Sequence, residues 1–311
     1  KPSTVEHNGP TGLTQKYGES VNGLAYIYGD PDSSKSPPYY PSLGILASTF
    51  NTDIAAKFGE MLGEDALWAG YSGFYGIGLN THRSAYDGRN FEYYSEDPFL
   101  SGAQAAKVVA GLQSKGCNAY VKHVAGYEQQ TCRVGLSVWS NEQAYREIYL
   151  EPFRMAIVDG GASNAMTSYT RIGVTLCPAS RELCTDFLRG ECGMEGFVVS
   201  DMWKGRYLDS QLVTCLMAGC DLPDSDLSAD IYDKYEENYG NVAEQMRTAA
   251  KRILYATVNS NAMNGISAGT RIVKITPPWQ QAVITGTIVS GILFLLSTLG
   301  YAITGISKRS F

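Results

Sequence analysis

The sequence predicts an α/β protein, namely a TIM-type (β/α)8 barrel, whole or incomplete, that is followed by a C-terminal transmembrane helix. Short apolar runs alternate along the chain with longer segments of helical periodicity, which is typical of a parallel sheet. Polar side chains follow several of these runs, and in a barrel the ends of the strands carry the chemistry. The number of strand–helix units favours the barrel, and a doubly wound open sheet is the alternative.

Six short apolar runs, separated from one another by glycine, proline or polar residues, are predicted as strands. They are Leu43–Thr49, Phe74–Asn80, Asn118–Val124, Ala162–Tyr169, Phe197–Asp201 and Leu216–Leu222. The segments between them have the apolar spacing of helices. These are Asn51–Leu67, Ser101–Ser114, Asn141–Val158, Ser180–Arg189, Leu208–Met217 and Val242–Val258.

Polar residues cluster where four of the predicted strands end. They are His82 and Arg83, Lys122 and His123, Met166, Ser168 and Tyr169, and Asp201. The three histidines of the chain, His7, His82 and His123, all lie at or near such ends. In a barrel these groups would point into one pocket, so we expect an active site at this edge of the sheet.

Two stretches are less regular. Residues 17–41 are rich in glycine, proline and serine and are predicted to form a long loop at the rim. The acidic stretch 222–240 lacks the spacing of an EF-hand, so it is predicted as a solvated surface loop. No metal site and no cofactor are expected.

The composition excludes some partners. The formal net charge is −6, which argues against a basic face for nucleic acid. The seven cysteines are odd in number and form no Cys-x-x-Cys pair, which suggests neither a zinc site nor a disulfide framework. They are predicted to be small buried hydrophobic side chains.

The C-terminal segment Ala282–Ile306 contains no charged residue. At about 25 residues it is long enough to cross the hydrocarbon core of a bilayer. The predicted organisation is therefore a barrel domain at 1–262, a linker at 263–281, a membrane helix at 282–306 and a tail at 307–311. Basic residues flank the helix on both sides, so the flanking charges do not decide its orientation.

The most specific stretch is NTHRSAYDGRNFEYYSEDPFLSG, Asn80 to Gly102. Its dense arginine and carboxylate pattern is compatible with a structural ion-pair network. It also resembles a signature of glycoside hydrolase family 3, the β-glucosidase-type enzymes, which is close to NxHRxPxxGRNFEYxSEDPxLSG. Further segments resemble motifs of this family in the same order, over about residues 4–260. They are NGPTGLT, KHVAGYEQQTCR, AMTSYTRI, GFVVSDMW and AGCDLP.

The resemblance implies an activity and a set of site residues. The family's catalytic nucleophile corresponds to Asp201, which would form a covalent glycosyl-enzyme. The implied substrate-binding residues are Asn8, Arg89, Lys122, His123, Arg133, Met166, Tyr169 and Trp203. The expected function is that of a retaining β-glycosidase, similar to β-glucosidases, which hydrolyses terminal non-reducing β-D-glycosyl residues of oligosaccharides.

Some positions depart from the family pattern. Asn8 replaces an aspartate that binds sugar hydroxyls, and Thr14 replaces an arginine. Met202 follows the expected nucleophile where the family has tryptophan, and Trp203 comes one residue later. These departures support an alternative, a membrane-anchored glycan-binding pseudoenzyme. A purely structural membrane protein is disfavoured by the polar strand ends.

A retaining glycosidase also needs an acid/base group. In β-glucosidase-type members this is a glutamate of an α/β-sandwich domain, and in one subgroup it is a histidine whose position holds Tyr127 here. We therefore expect a permuted arrangement with the sandwich domain upstream, and Glu92 and Glu128 are the local alternatives. The expected location is the cell membrane, with one membrane span and an extracellular catalytic domain.

Overall fold

A computed structural model describes residues 6–7, 9, 11, 39–202, 211–224, 240–264 and 278–307. The chain divides into two compact units, residues 1–264 and residues 265–311, which are described separately below. The first unit ends two residues after the predicted barrel domain, which ends at 262. Two of the predicted substrate-binding residues, Asn8 and Trp203, lie outside the described residues, as does Thr14.

The strands of the described residues form one large parallel sheet and one small sheet. They are β1 (Glu6–His7), β2 (Gly73–Gly78), β3 (Asn118–Val124), β4 (Ser137–Val138), β5 (Asn164–Thr167), β6 (Arg171–Ile172), β7 (Thr175–Leu176), β8 (Val198–Met202) and β9 (Leu222–Asp224). The large sheet has the order β1-β2-β3-β5-β8-β9, and every neighbouring pair is parallel. The spatial order follows the chain order without the reversal of a doubly wound sheet. The α/β prediction is confirmed, and the sheet fits a TIM-type domain.

The described helices of the first unit lie between these strands in the chain, except for the last helix, which follows β9. They are Leu43–Ala47, Thr52–Ala69, Pro98–Gln113, the consecutive parts Glu142–Ala144, Tyr145–Leu150 and Glu151–Val158, then Glu182–Glu191, Leu212–Ala218 and Gly240–Val258. Asn51 begins one of them by accepting hydrogen bonds from two backbone amides of the first turn. Asp97 does the same for the helix that starts with Pro98.

Two of the predicted strands are wrong at least in part. Residues 43–47 form a helix, because the Ser42 hydroxyl caps it and its buried residues, Leu43, Leu46 and Ala47, share one helical face. The run predicted as the strand Leu216–Leu222 begins inside a helix that continues to Ala218. Gly219 ends this helix in the left-handed region at φ 102°, and β9 starts only at Leu222. Short apolar runs do not distinguish a helix from a strand by periodicity alone.

The two faces of the large sheet have different surroundings. Val121, Ala165 and Val198 are in register on neighbouring strands and belong to the main hydrophobic core. The opposite face carries Tyr120 on β3 and Val199 on β8, which pack in a second cluster. Because side chains alternate along a strand, Lys122 and Asp201 project from this second face as well.

The end of the first unit packs against the amino-terminal ends of β2 and β3. The amide of Asn118, at the start of β3, donates to the carbonyl of Ala256 at 3.0 Å. Asn261 donates from its backbone to the Gly116 carbonyl at 2.7 Å and from its side chain to the Tyr71 carbonyl at 2.8 Å. These bonds join the end of the unit to the loops that precede β2 and β3.

An ion triad centred on a buried carboxylate connects elements of the C-terminal half of the first unit. Asp221 accepts hydrogen bonds from Arg189, from Arg252 at 2.7 Å and from the backbone amide of Val198 at 2.9 Å. The Asp221 side chain is about 1% exposed, and the two arginines come from the helices Glu182–Glu191 and Gly240–Val258. One carboxylate thus ties two helices to the start of β8.

All seven cysteines are free, and six of them are buried. The exception is the exposed Cys132. The prediction that the cysteines are small buried side chains is therefore confirmed for six of them.

The second unit contains one long helix, Pro278–Ser307. Its segment Gln280–Ala302 has 23 residues with a mean hydropathy of 2.1, and none of its most apolar window is buried. By length and composition this helix could cross a membrane. It begins four residues before the predicted span, within the stretch that the sequence predicts as a linker.

Candidate active site

Polar side chains converge at the carboxyl ends of β3 and β8, as the sequence predicts. Lys122 and His123 lie near the end of β3, and Asp201 is the penultimate residue of β8. Arg89 joins them from the loop after β2. This loop is anchored where Tyr93 forms a parallel bridge with Gly78 at the end of β2.

Asp201 has one bonded and one unbonded carboxylate oxygen. Oδ1 accepts a hydrogen bond from the backbone amide of Met202 at 2.8 Å. Oδ2 is buried and has no hydrogen-bond partner among the described residues; it lies 3.9 Å from Nε2 of His123. Burial raises the pKa of Asp201, and the Met202 amide and the positive charges of Arg89 and Lys122 oppose that rise. A buried carboxylate with an unbonded oxygen can act as a nucleophile.

Glu92 forms ion pairs with two cations of the site. Its Oε1 accepts a hydrogen bond from Nε of Arg89, and its Oε2 lies 3.5 Å from Nζ of Lys122. Lys122 is 1% exposed, and burial lowers its pKa while the charge of Glu92 opposes this change. Both oxygens of Glu92 are therefore engaged by cations of the site.

His123 is buried and neutral. Nη2 of Arg89 lies 3.0 Å from Nε2 of His123, and a guanidinium can only donate hydrogen bonds. Nε2 is therefore the acceptor, and the proton is on Nδ1, which lies 3.3 Å from Oδ1 of Asn80. Burial, followed by the charges of Arg89, Lys122 and Arg133, lowers the pKa of His123 well below its ordinary value. The contact between His123 and Asp201 is thus not an ion pair.

Aromatic rings and arginines form the wall beside this cluster. The guanidinium of Arg133 lies 5.5 Å from the ring centre of Tyr169 and 6.0 Å from that of Tyr127, and Arg89 lies 5.4 Å from the ring centre of Tyr127. Burial raises the pKa of Tyr127 to about 12. Burial and the nearby Asp201 also raise the pKa of Tyr169, so both phenols remain protonated at neutral pH.

Four of the residues singled out in the sequence do not join the cluster. The hydroxyl of Ser168 donates to the carbonyl of Ala125 at 3.0 Å. Met166 packs with Tyr120 and is in register with Val199, one layer below Asp201 on the same face. Nε2 of His82 faces two backbone carbonyls, and Arg83 donates to the hydroxyl of Tyr149. The strand-end position of a polar residue therefore does not by itself place its side chain in the site.

Asn80 and the position of Glu128 relative to it were not predicted from the sequence. Asn80 is buried beside His123, and its amide donates to Oε1 of Glu128 at 3.1 Å. Burial raises the pKa of Glu128 to about 7, although the Asn80 amide opposes this rise. The sequence signal for Asn80 was its position two residues after β2 and at the start of the motif NTHRSAYDGRNFEYYSEDPFLSG.

Within the described part of the chain, no group of three or more histidine, cysteine, aspartate or glutamate side chains is arranged to hold a metal ion.

Comparison with known proteins identifies relatives of most of the first unit. The sequence profile "Glycosyl hydrolase family 3 N terminal domain" matches residues 32–255. Beta-glucosidase B of Emericella nidulans is 39% identical over 59% of this chain, which corresponds to 21% of that protein. Exo-alpha-(1->6)-L-arabinopyranosidase of Bifidobacterium longum is 34% identical over 64% of this chain and 26% of that protein.

The fold agrees with these sequence relatives. The structure of beta-glucosidase 3B from Thermotoga neapolitana superposes with a TM-score of 0.71 and 30% sequence identity. The match covers 85% of this chain and 37% of that structure. The chain thus spans about a fifth to a quarter of the length of these two curated relatives.

Proposed function

Because the chain belongs to glycosyl hydrolase family 3, we propose that its first unit is the barrel domain of a retaining β-glycosidase that resembles β-glucosidases. Its substrates are oligosaccharides or glycosides with a terminal non-reducing β-D-glycosyl residue. The observation that carries the proposal is the buried, unbonded Oδ2 of Asp201 at the end of β8, beside Arg89, Lys122 and His123.

In the proposed reaction, Oδ2 of Asp201 attacks the anomeric carbon as the leaving-group oxygen takes a proton from the acid. This forms a covalent glycosyl-enzyme with inverted configuration. Water, activated by the same group acting as a base, then attacks the anomeric carbon and releases the carboxylate. The second inversion restores the β-configuration, so the reaction proceeds with overall retention.

The cations and phenols around Asp201 supply the hydrogen-bond donors for the sugar. Arg89, Lys122 and Arg133 can donate to hydroxyl groups through charge-assisted hydrogen bonds. Tyr169 keeps its proton and lies close enough to Asp201 for each group to shift the pKa of the other. We propose that these four side chains bind the non-reducing sugar, with His123 fixing the position of Arg89.

We propose that the acid/base group lies outside the described residues, on the α/β-sandwich domain that the family resemblance implies. Two local alternatives are less suitable. Glu92 is paired with Arg89 and Lys122. Glu128 hydrogen-bonds Asn80 on the Nδ1 side of the His123 ring, whereas Asp201 lies on the Nε2 side.

Covalent trapping tests the nucleophile without the acid. A 2-deoxy-2-fluoro-β-glucoside with a dinitrophenyl leaving group needs no protonation to react. We expect the intact mass to increase by one fluoroglycosyl group, and peptide mapping to locate that group on Asp201. The Asp201→Asn variant is the matched control and should not be labelled. A label on another residue would contradict the assignment of the nucleophile.

The glycan-binding pseudoenzyme is the second candidate, and one observation favours it. Met202 occupies the position after the proposed nucleophile, is 56% exposed and contributes no ring to the site. In this case a panel of fluoroglycosides with different sugars would leave the folded protein unlabelled, while glycans would still bind to it.

We propose that the helix Pro278–Ser307 anchors the protein in the cell membrane as a single span with the catalytic domain outside. We expect the protein to stay in the membrane pellet after alkaline carbonate extraction and to be released by detergent. The Leu293→Arg, Leu296→Arg double variant should become extractable, because each arginine costs about 2.5–3.5 kcal/mol at the centre of a span. Extraction of the unaltered protein by carbonate would exclude the anchor. The external position of the first unit is tested separately with a membrane-impermeant reagent on intact cells, and failure to label this unit would exclude that orientation.

A further inference from the structure

We propose that Asn80 and Glu128 are positioning residues that hold the His123 ring in its Nδ1-protonated form, and thereby hold Arg89 beside Asp201. The consequence for sugar binding rests on the proposed function. The arrangement of the four side chains rests on the hydrogen bonds alone. Asn80 and Glu128 thus act through His123 and do not reach the proposed nucleophile.

Both the oxygen and the nitrogen of the Asn80 side-chain amide form hydrogen bonds. Its Oδ1 accepts from the backbone N–H of His123 at 2.9 Å and faces Nδ1 of the same residue at 3.3 Å. Its Nδ2 donates to the His123 carbonyl at 3.1 Å and to Oε1 of Glu128 at 3.1 Å. All four hydrogen-bonding positions of the amide are therefore used, and three of them serve His123.

Glu128 and the backbone of His123 together select one of the two orientations of this amide. In the observed orientation the NH2 group points at a carboxylate, and Oδ1 points at the imidazole. After a flip, Oδ1 of Asn80 would face the Glu128 carboxylate, and the NH2 group would face the backbone N–H of His123. Both contacts would be between groups of the same kind in a buried place, which is costly. Glu128 thus adds to the His123 backbone in keeping the Asn80 oxygen, an acceptor, in front of Nδ1.

Nε2 of His123 faces both Arg89 and Asp201, so the position of the ring proton changes the contacts of both groups. With the proton on Nδ1, the Nε2 lone pair accepts from Arg89 at 3.0 Å. With the proton on Nε2, two donors would face each other, the Nε2–H of His123 and an N–H of Arg89. The same Nε2–H would point at Oδ2 of Asp201, 3.9 Å away. A hydrogen bond to this oxygen would make it a weaker nucleophile. The contacts of Asn80 and Glu128 favour the first form.

The test reads the proton position directly. Long-range 1H–15N spectra of the histidine rings distinguish the two neutral forms, and the chain has only three histidines. They are recorded on the full chain in detergent micelles. We expect Nδ1–H for His123 in the unaltered protein. In Asn80→Ala we expect the Nε2–H form to become populated, because Nδ1–H has lost its acceptor and Asp201 offers another at Nε2.

A second variant keeps the test decisive if Asn80→Ala does not fold. Asn80→Asp is made together with Glu128→Gln, so that two carboxylates do not face each other. It retains the acceptor and adds a negative charge beside Nδ1. We expect it to keep Nδ1–H and to shift the titration of His123 to a higher pH. The Asn259→Asp variant, which makes the same change at an exposed site, should shift neither property.

Two outcomes would overturn the proposal. One is an Nε2–H form of His123 in the unaltered protein. The other is a His123 titration that Asn80→Asp with Glu128→Gln leaves unmoved, together with an unchanged Nδ1–H form in any folded Asn80→Ala protein. Because these spectra require no turnover, they separate this proposal from the proposed function. In an active protein, Asn80→Ala should lower kcat/KM by about 10- to 100-fold, as for partners that orient metal-bound histidines.

Discussion

Replacing Asp201 with alanine is expected to lower kcat by at least about 10⁴-fold, the magnitude seen when a member of a catalytic constellation is removed. The physical reason is that no other carboxylate among the described residues has an unbonded oxygen in this position. The measurement is hydrolysis of a dinitrophenyl β-glucoside by the full-length protein. The folded state should be as stable as before or more stable, because the change removes a buried carboxylate oxygen that has no hydrogen-bond partner.

Chemical rescue makes this prediction more specific. The alanine leaves space where the carboxylate was, so added azide can attack the anomeric carbon from the same side. The product should be the α-glycosyl azide, because the reaction then has one inversion instead of two. Asp186→Ala, at an exposed position on a helix, is the control and should retain full activity. Undiminished turnover by the Asp201→Ala protein would remove Asp201 as the nucleophile.

Replacing Asp221 with alanine is expected to lower the free energy of unfolding of the first unit by about 3–5 kcal/mol. The change leaves Arg189, which is 11% exposed, and Arg252 close together without their shared carboxylate. It also removes the acceptor of the Val198 amide. The measurement is urea unfolding of the full chain in detergent, followed by the fluorescence of its tryptophans.

The chain contains a matched ion pair for comparison. Arg181 and Asp186 lie 3.7 Å apart, and their side chains are 66% and 54% exposed. Asp186→Ala should change the stability by about 0–1 kcal/mol, because water already screens this pair. Asp221→Asn should fall between the two, since the amide retains an acceptor without the charge. Equal effects of Asp221→Ala and Asp186→Ala would show that the triad contributes little to stability.

Much of this molecule could be predicted from its sequence. The alternation of apolar runs with helical segments predicted a parallel α/β sheet, and the described strands have that arrangement. The uncharged run at the C-terminus predicted one long apolar helix. Both features depend on patterns within about 20 residues, which the chain displays directly. The resemblance to glycoside hydrolase family 3 singled out a further set of residues, and they lie in one cluster. They are Arg89, Lys122, His123, Arg133, Tyr169 and Asp201.

The errors also have physical causes. Leu43–Ala47 is a helix, although its short apolar run suits a strand equally well, because the Ser42 cap and burial against neighbouring elements decide the outcome. His82 stands at a strand end like His123. Yet its ring turns towards the carbonyls of Asn90 and Tyr93, which the following loop brings to it.

The sequence was sufficient to predict the fold class and most of the alternation of strands and helices, because these follow from local spacing. Which of the residues at the strand ends touch, and where the proton of His123 lies, depends on contacts between distant parts of the chain. Asn80 meets His123 across 43 residues and Glu128 across 48, and Arg89 meets His123 across 34. The proton position of a buried histidine ring depends on a donor or acceptor from another loop. The sequence around the histidine does not show which residue that is.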